Sequence, residues 1–266
     1  MQRQPAVAGQ FYPGLPEQLR LTVSHLLPSV EPVAALGVMV PHAGYIYSGA
    51  IAGATFARVV VPGRVVMLGP NHHGLGPEAS LFHRGAWHTP LGANAIDEPL
   101  ADALLDACPQ LTADTLAHQR EHSLEVQLPF LQQRNPAARL VPISLGHLPL
   151  PQLLALGTGI GAVLAATPGG ALLVASSDMT HYEPGNVARR KDLGALEFVL
   201  ALDPEGLYRH VRAERISMCG VLPTVVMLAA AQALGASRAE LVQYGNSGDV
   251  TGDQSEVVGY AGVIVT

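Results

Sequence analysis

The sequence is poor in charge. Asp, Glu, Lys and Arg make up 14% of its 266 residues, the net charge is -6, and Lys191 is the only lysine. No basic run occurs. A surface that grips nucleic acid needs clustered Lys and Arg, as does a polybasic membrane anchor, so neither partner is expected. The scarcity of lysine, with the excess of Ala, Gly, Pro and Leu, reflects genome composition rather than function. Cysteine is nearly absent: Cys108 and Cys219 are the only two, too few for a disulfide framework. The opening Met1-Gln2-Arg3-Gln4-Pro5 lacks the apolar core of a signal peptide, and a cytoplasmic location is the expectation. From His147 to Ser177 there is no charged residue at all. Pro149, Pro151, Pro168, Gly169 and Gly170 interrupt that stretch, whereas a spanning helix needs about 20 continuous apolar residues. It reads as a buried helix followed by a buried strand. No linker and no repeat of solenoid length divides the chain, so a single domain over 1–266 is expected.

Hydrophobic residues, by contrast, reach 48%, ample for a large core and too many for disorder. Short β-branched or apolar runs end abruptly in polar or glycine-rich turns: Leu36 to Val40, Arg64 to Leu68, Arg139 to Leu145, Ala171 to Ser176, Leu241 to Tyr244 and Val257 to Val265. Such runs suit strands buried on both faces. Helix-length segments lie between them: Ala50 to Val59, Glu98 to Ala107, Ser123 to Gln133, Leu150 to Ala166, Val187 to Leu202 and Leu222 to Leu234. The alternation predicts an α/β fold, a mainly parallel or mixed central sheet with helices on both faces.

The placement of the histidines, 11 in all, is the most informative feature. Val38-Met39-Val40-Pro41 runs into His42. Val65 to Asn71 runs into His72 and His73. Val141 to Gly146 leads to His147, and Leu172 to Asp178 leads to His181. Open α/β sheets bind ligands outside the carboxyl ends of their strands, so these residues can converge although far apart in sequence. Imidazole suits both transition-metal ligation and proton transfer near neutral pH. Cys219 directly precedes an apolar helix, where a thiolate is favoured; the alternative is a small buried hydrophobe, the role assigned to Cys108. In Glu121 to Pro129, His122 and Glu125 share a helical face; the segment reads as a helix start that supports a site, with direct ligation as the alternative. Gly157-Thr158-Gly159-Ile160-Gly161-Ala162 mimics a dinucleotide fingerprint, but the residues before it are poor strand material. Gly245-Asn246-Ser247-Gly248-Asp249 is not a nucleophile elbow and reads as a turn. Tyr45 and Tyr47 either line a pocket or pack.

Several of these pieces resemble signatures of the Memo family. They are Pro41-His42-Ala43-Gly44-Tyr45-Ile46-Tyr47-Ser48-Gly49, Leu68-Gly69-Pro70-Asn71-His72-His73, Glu121 to Pro129, Ser176-Ser177-Asp178-Met179-Thr180-His181 and Met218-Cys219-Gly220. The opening Ala8-Gly9-Gln10-Phe11-Tyr12 and closing Gly259-Tyr260-Ala261-Gly262 fit as well, so the resemblance runs in order over nearly the whole chain. Bacterial and archaeal members are labelled AmmeMemoRadiSam system protein B, which implies association with AMMECR-type and radical-SAM proteins. The family fold resembles class III extradiol dioxygenases of the LigB type, in which two histidines and a carboxylate hold non-haem iron. Carried over by motif, the resemblance implies a mononuclear metal site at His42, His72 and Cys219, with His181 as acid/base accompanied by Asp178. His73, Tyr45, Asn71, His122 and Glu125 are expected around it. A cysteine stands where the dioxygenases have a carboxylate. A thiolate favours copper, zinc or thiolate-bound iron and can itself be oxidised, so the reaction does not follow from the fold.

Three functions remain open from the sequence. The first is metal-dependent oxidation of an unknown small substrate, with iron or copper. The second is a non-catalytic metal- or peptide-binding module acting with partner proteins, since relatives are described as signalling adaptors and metal-handling proteins. The third is a zinc-dependent hydrolase.

Overall fold

The computed structural model describes residues 1–266. The chain begins with β1 (Gln2–Arg3), α1 (Pro16–Leu26), β2 (Gly37–Val40), α2 (Tyr45–Ala57) and β3 (Arg64–Pro70). Three short strands follow, β4 (Ala79–Leu81), β5 (Ala86–Thr89) and β6 (Gly92–Ala95), then α3 (Glu98–Ala107) and β7 (Thr112–Ala113). Single 3-10 turns at Leu116–His118 and Glu125–Gln127 precede α4 (Leu128–Arg134), β8 (Arg139–Leu145) and α5 (Leu150–Ala165). Next come β9 (Leu172–Ser176), β10 (His181–Glu183), α6 (Gly185–Leu200), α7 (Pro204–Ala213) and α8 (Val221–Ala233). The chain closes with β11 (Ala239–Asn246), α9 (Gly248–Thr251) and β12 (Val257–Val265).

The main sheet has the order β10-β12-β2-β9-β3-β8-β4-β7, with β11 also paired to β12. Its centre, β2-β9-β3-β8, is parallel throughout, while β12 and β4 flank it antiparallel. The fold is therefore α/β with a large mixed, mainly parallel sheet. Val, Leu and Ile dominate the central strands because both of their faces are covered; every residue of β2 and of β9 is buried. On the helical side, α2 packs with α1 and α4 and touches β2, β11 and β12, while α8 packs with α5 and α7 and touches β2, β3 and β9. A continuous core of 62 buried residues ties these layers together. A separate small sheet, β1-β5-β6, secures the N-terminus.

The charge-free stretch forms α5 and then β9, and no helix is long and apolar enough to cross a membrane. The apparent dinucleotide motif lies inside α5, where its glycines serve packing. A Cβ on Gly157 would stand 2.7 Å from the Val226 carbonyl oxygen, and one on Gly161 would stand 2.7 Å from that of Ala230. Their absence lets the backbones of α5 and α8 meet. Two expected helix starts move by five residues. The helix expected from Ala50 begins at Tyr45, and the helix expected from Ser123 begins at Leu128, with Pro129 in its first turn where a missing N–H costs nothing.

Register brings the functional strand ends together. Val40 pairs with Ser176, Leu68 with Ala175, and Pro70 with Leu145. His42, Asp178, Asn71-His72 and His147 therefore leave the sheet along one edge, the carboxyl edge of the parallel strands.

Candidate metal centre

His42 is buried just beyond β2. Its Nδ1 lies 2.9 Å from Ser176 Oγ. That hydroxyl donates its single proton to the Ser123 carbonyl at 2.7 Å and accepts from Gln127 Nε2 at 2.9 Å. Its remaining lone pair can only accept, so His42 carries its proton on Nδ1 and turns the bare Nε2 outward. Burial first, and then the neighbouring imidazoles of His72 and His122, hold His42 well below the ordinary histidine pKa. It is the neutral, ligand form.

His72 reaches the same arrangement by another partner. Its Nδ1 donates to Glu121 Oε1 at 2.9 Å, which again leaves Nε2 free. Burial opposes protonation of His72, but the hydrogen bond and charge of Glu121 outweigh it and raise its pKa. Glu121 is 1% exposed and also accepts the backbone N–H groups of His72, His122 and Ser123. Burial pushes its pKa up, yet His72 and these N–H groups hold it far below the carboxylate range. An imidazole backed by a carboxylate has a fixed tautomer and a more basic outer nitrogen, the usual setting of a metal-bound histidine. The loop carrying Glu121 lies close against β3 because Gly69 has no side chain: a Cβ there would stand 2.6 Å from Ser123 Oγ.

Buried Arg3 fastens that loop from beneath. It donates from Nε to the His118 carbonyl at 2.8 Å and from one terminal nitrogen to the Glu121 carbonyl at 2.5 Å. Its other terminal nitrogen pairs with Glu125 at 2.7 Å, and the guanidinium lies 4.3 Å from the Trp87 ring centroid. Glu125 is filled by this pair, the N–H groups of Ala6 and Val7, and the Tyr12 hydroxyl. Its expected place beside the histidines is corrected: it anchors the N-terminal segment, and Glu121 is the carboxylate that supports a histidine.

His122 stacks on His72, with ring centroids 4.9 Å apart and planes 13° apart. The ligand atoms of His42, His72 and His122 all lie within 4.8 Å of one another and could hold a metal ion. His122, expected as support with direct ligation as the alternative, thus lies in the cluster itself. Cys219 approaches from the other side, its Sγ 3.2 Å from His42 Nε2. Gly220 allows this, since a Cβ there would fall 2.3 Å from the Ser176 carbonyl oxygen. Burial, and secondarily Asp178, pushes the Cys219 thiol well above its ordinary pKa.

Asp178 bridges His42 and Cys219. It accepts the His42 backbone N–H at 2.7 Å, and its own N–H points to Cys219 Sγ at 3.3 Å. Burial raises its pKa to about 7. It does not orient His181, as the sequence suggested. The Ser217 carbonyl does, accepting from His181 Nδ1 at 2.9 Å and leaving Nε2 unpaired. Tyr182 beside it has φ 57, at a bulge between β10 and β12.

The remaining expected neighbours fall apart. Asn71 donates to the Leu75 carbonyl at 2.7 Å, and its buried Oδ1 has no partner. His73 is turned outward, its Nε2 3.1 Å from the Arg120 carbonyl. Tyr45 is core: its hydroxyl donates to the Val126 carbonyl at 2.6 Å and its ring packs on Phe130. Tyr47 instead lines a cavity of about 520 Å³ with His42, His72, His122, His181 and Tyr260.

Fold and cluster together define an α/β protein with a candidate metal site at the carboxyl edge of its parallel strands. A family model described as Memo-like protein matches residues 3–264, and the chain belongs to that family. It is 43% identical to a MEMO1 family protein of Methanopyrus kandleri, with 99% of each chain covered. It is 42% identical to one of Methanosarcina barkeri, with 99% of each covered, and 43% identical to one of Aquifex aeolicus, with 98% of each covered. The crystal structure of an uncharacterized Escherichia coli K12 protein shares the fold, with a TM-score of 0.59 at 14% identity over 85% of this chain and 98% of that one.

Proposed function

We propose that His42, His72 and Cys219 hold a single transition-metal ion, with His122 as the adjoining fourth donor, and that the centre oxidises a small organic molecule bound in the Tyr47 cavity, with dioxygen as the oxidant that takes up the electrons. The observation that carries this is the pair of fixed tautomers. Ser176 and Glu121 each take an Nδ1 proton, so both Nε2 lone pairs are available to one cation without rearrangement. Two imidazoles and a thiolate suit iron or copper. Bound there, such an ion would supply a Lewis-acidic and redox-active centre. The chain's own contribution is orientation and proton movement. His181, its Nδ1 tied to Ser217, presents Nε2 to the cavity as the group that accepts or returns a substrate proton. The aromatic wall of Tyr47, Tyr182 and Tyr260 excludes water around a bound ring or chain.

The test is the metal content of protein purified without oxygen, for the native chain, Cys219→Ser and His122→Ala. Near-stoichiometric iron or copper that falls sharply in Cys219→Ser supports the proposal. Full retention in Cys219→Ser with loss in His122→Ala moves the third ligand to the imidazole cluster. Stoichiometric zinc supports the hydrolase reading instead, and no metal after each ion has been supplied overturns the centre.

A further inference from the structure

The cluster stands between two cavities with different linings. The Tyr47 cavity has an aromatic and apolar rim to which Phe11, Ile46 and Tyr182 contribute. Its one carboxylate is Asp178, buried and occupied by the His42 backbone. A second cavity of about 420 Å³ opens on the other side, lined by Asn71, Glu78, His147 and Cys219. His72 lines both cavities, whereas Cys219 lines only the second and His42 and His122 only the first.

We propose that the second cavity is the entry port for the metal ion, where Glu78 and His147 capture the cation and pass it to Cys219 and His72. This rests on the metal-centre reading above. The Glu78 side chain is held at the end of β8, where one oxygen accepts the His147 backbone N–H, and the Glu78 carbonyl accepts from Gly146. Glu78 and His147 both line the cavity and are exposed, and the side chain of His147 makes no hydrogen bond within the chain. Asn71 also lines this cavity, its amide nitrogen held by the Leu75 carbonyl. A hydrated cation sheds its shell more readily along oxygen and imidazole donors than across an apolar rim. A carboxylate at the mouth raises the local cation concentration. If the ion takes Cys219 as a thiolate, the S–H bond breaks and the proton would leave to solvent through this cavity.

The experiment mixes metal-free protein with Co2+ and follows the sulfur-to-cobalt charge-transfer band in time. The Glu78→Gln/His147→Ala double variant changes two exposed side chains and keeps the fold. The expected result is a loading rate lowered by about tenfold or more, with the same final band intensity and stoichiometry. The native rate should fall with added salt and the variant rate much less. Tyr182→Ala, on the apolar rim, should load at the native rate. An unchanged rate in the double variant, or slower loading in Tyr182→Ala, overturns the port. A lowered final intensity in the double variant also overturns it, because Glu78 and His147 would then be ligands. A native chain that binds Co2+ without a sulfur band removes Cys219 from the centre, and one that binds none removes the centre; in either case the port falls with the reading beneath it.

Discussion

A single hydroxyl decides what His42 can do. Ser176 Oγ has one proton and gives it to Ser123, so the imidazole is bound to donate from Nδ1. Glu121 does the same for His72 with a charge added. Glu121→Gln removes that charge and puts an NH2 group in place of one of the two oxygens, each of which accepts at least one N–H group, and metal affinity should fall by about 10–100-fold in a chelator competition titration. His181→Ala should leave metal content intact and abolish turnover; equal metal loss would make His181 a ligand. A further residue governs acid stability. His118 is fully buried, and burial, followed by the charge of Arg3, lowers its pKa to about 4. The folded state thus favours the neutral ring. Its contribution is complete above the unfolded pKa of 6.5 and is lost as pH falls towards 4, by roughly 3 kcal/mol. Urea unfolding should show this loss between pH 7 and 4, and His118→Gln should flatten it. Of the site residues, His42 and His72 were legible because a buried strand runs straight into each. Glu121 was not, since its role comes from a loop with no periodicity, although a Glu directly before a His at a strand-edge site is a usable signal. Glu125 was misplaced because its partner Arg3 lies at the far end of the sequence.

Among the elements, the α5–α8 contact is the most exacting. Both helices are nearly uncharged, and the two glycines of α5 sit over α8 carbonyl oxygens. Gly161→Val has to push the helices apart and should destabilise by about 1–3 kcal/mol, read as a lower urea midpoint with an unchanged slope. The periodic, apolar elements of the centre were legible. What was missed was short or weakly apolar. In α1 only Leu19 and Val23 are buried, and β4, β5 and β6 are 3–4 residues long. Helix α7 carries a signal that went unread: Asp203 caps it by accepting from the Gly206 N–H, with Pro204 in its first turn. Asp97 and Pro99 open α3 in the same way, so the pair Asp and Pro marks both starts.

At the scale of the molecule, the parallel register turns a scattered set of residues into a site. This much follows from sequence, because strands of one direction end on one edge. The order of the strands does not follow, since it depends on which apolar faces pack best, and neither does the clamp between Arg3 and Glu125, which closes over more than a hundred residues. That clamp is buried on both sides. Arg3→Met strands Glu125 without its partner and should cost about 3–5 kcal/mol in urea unfolding. Because Arg3 also holds the Glu121 carbonyl, the variant should bind metal more weakly even under conditions where it remains folded.

The strand order also bears on how the protein is made. β9 lies between β2 and β3 although it follows both by a hundred residues or more of chain. A ribosome delivers the N-terminal part first. Until Ser176 has emerged, β2 and β3 are separated by a vacant strand position, each with an open hydrogen-bonding edge. His42 and His72 then have no fixed distance between them, His42 lacks the hydroxyl that sets its tautomer, and Cys219 has yet to be synthesised. The cluster thus comes into being only after most of the chain exists, and a cation bound there is held by a finished protein rather than by a growing one.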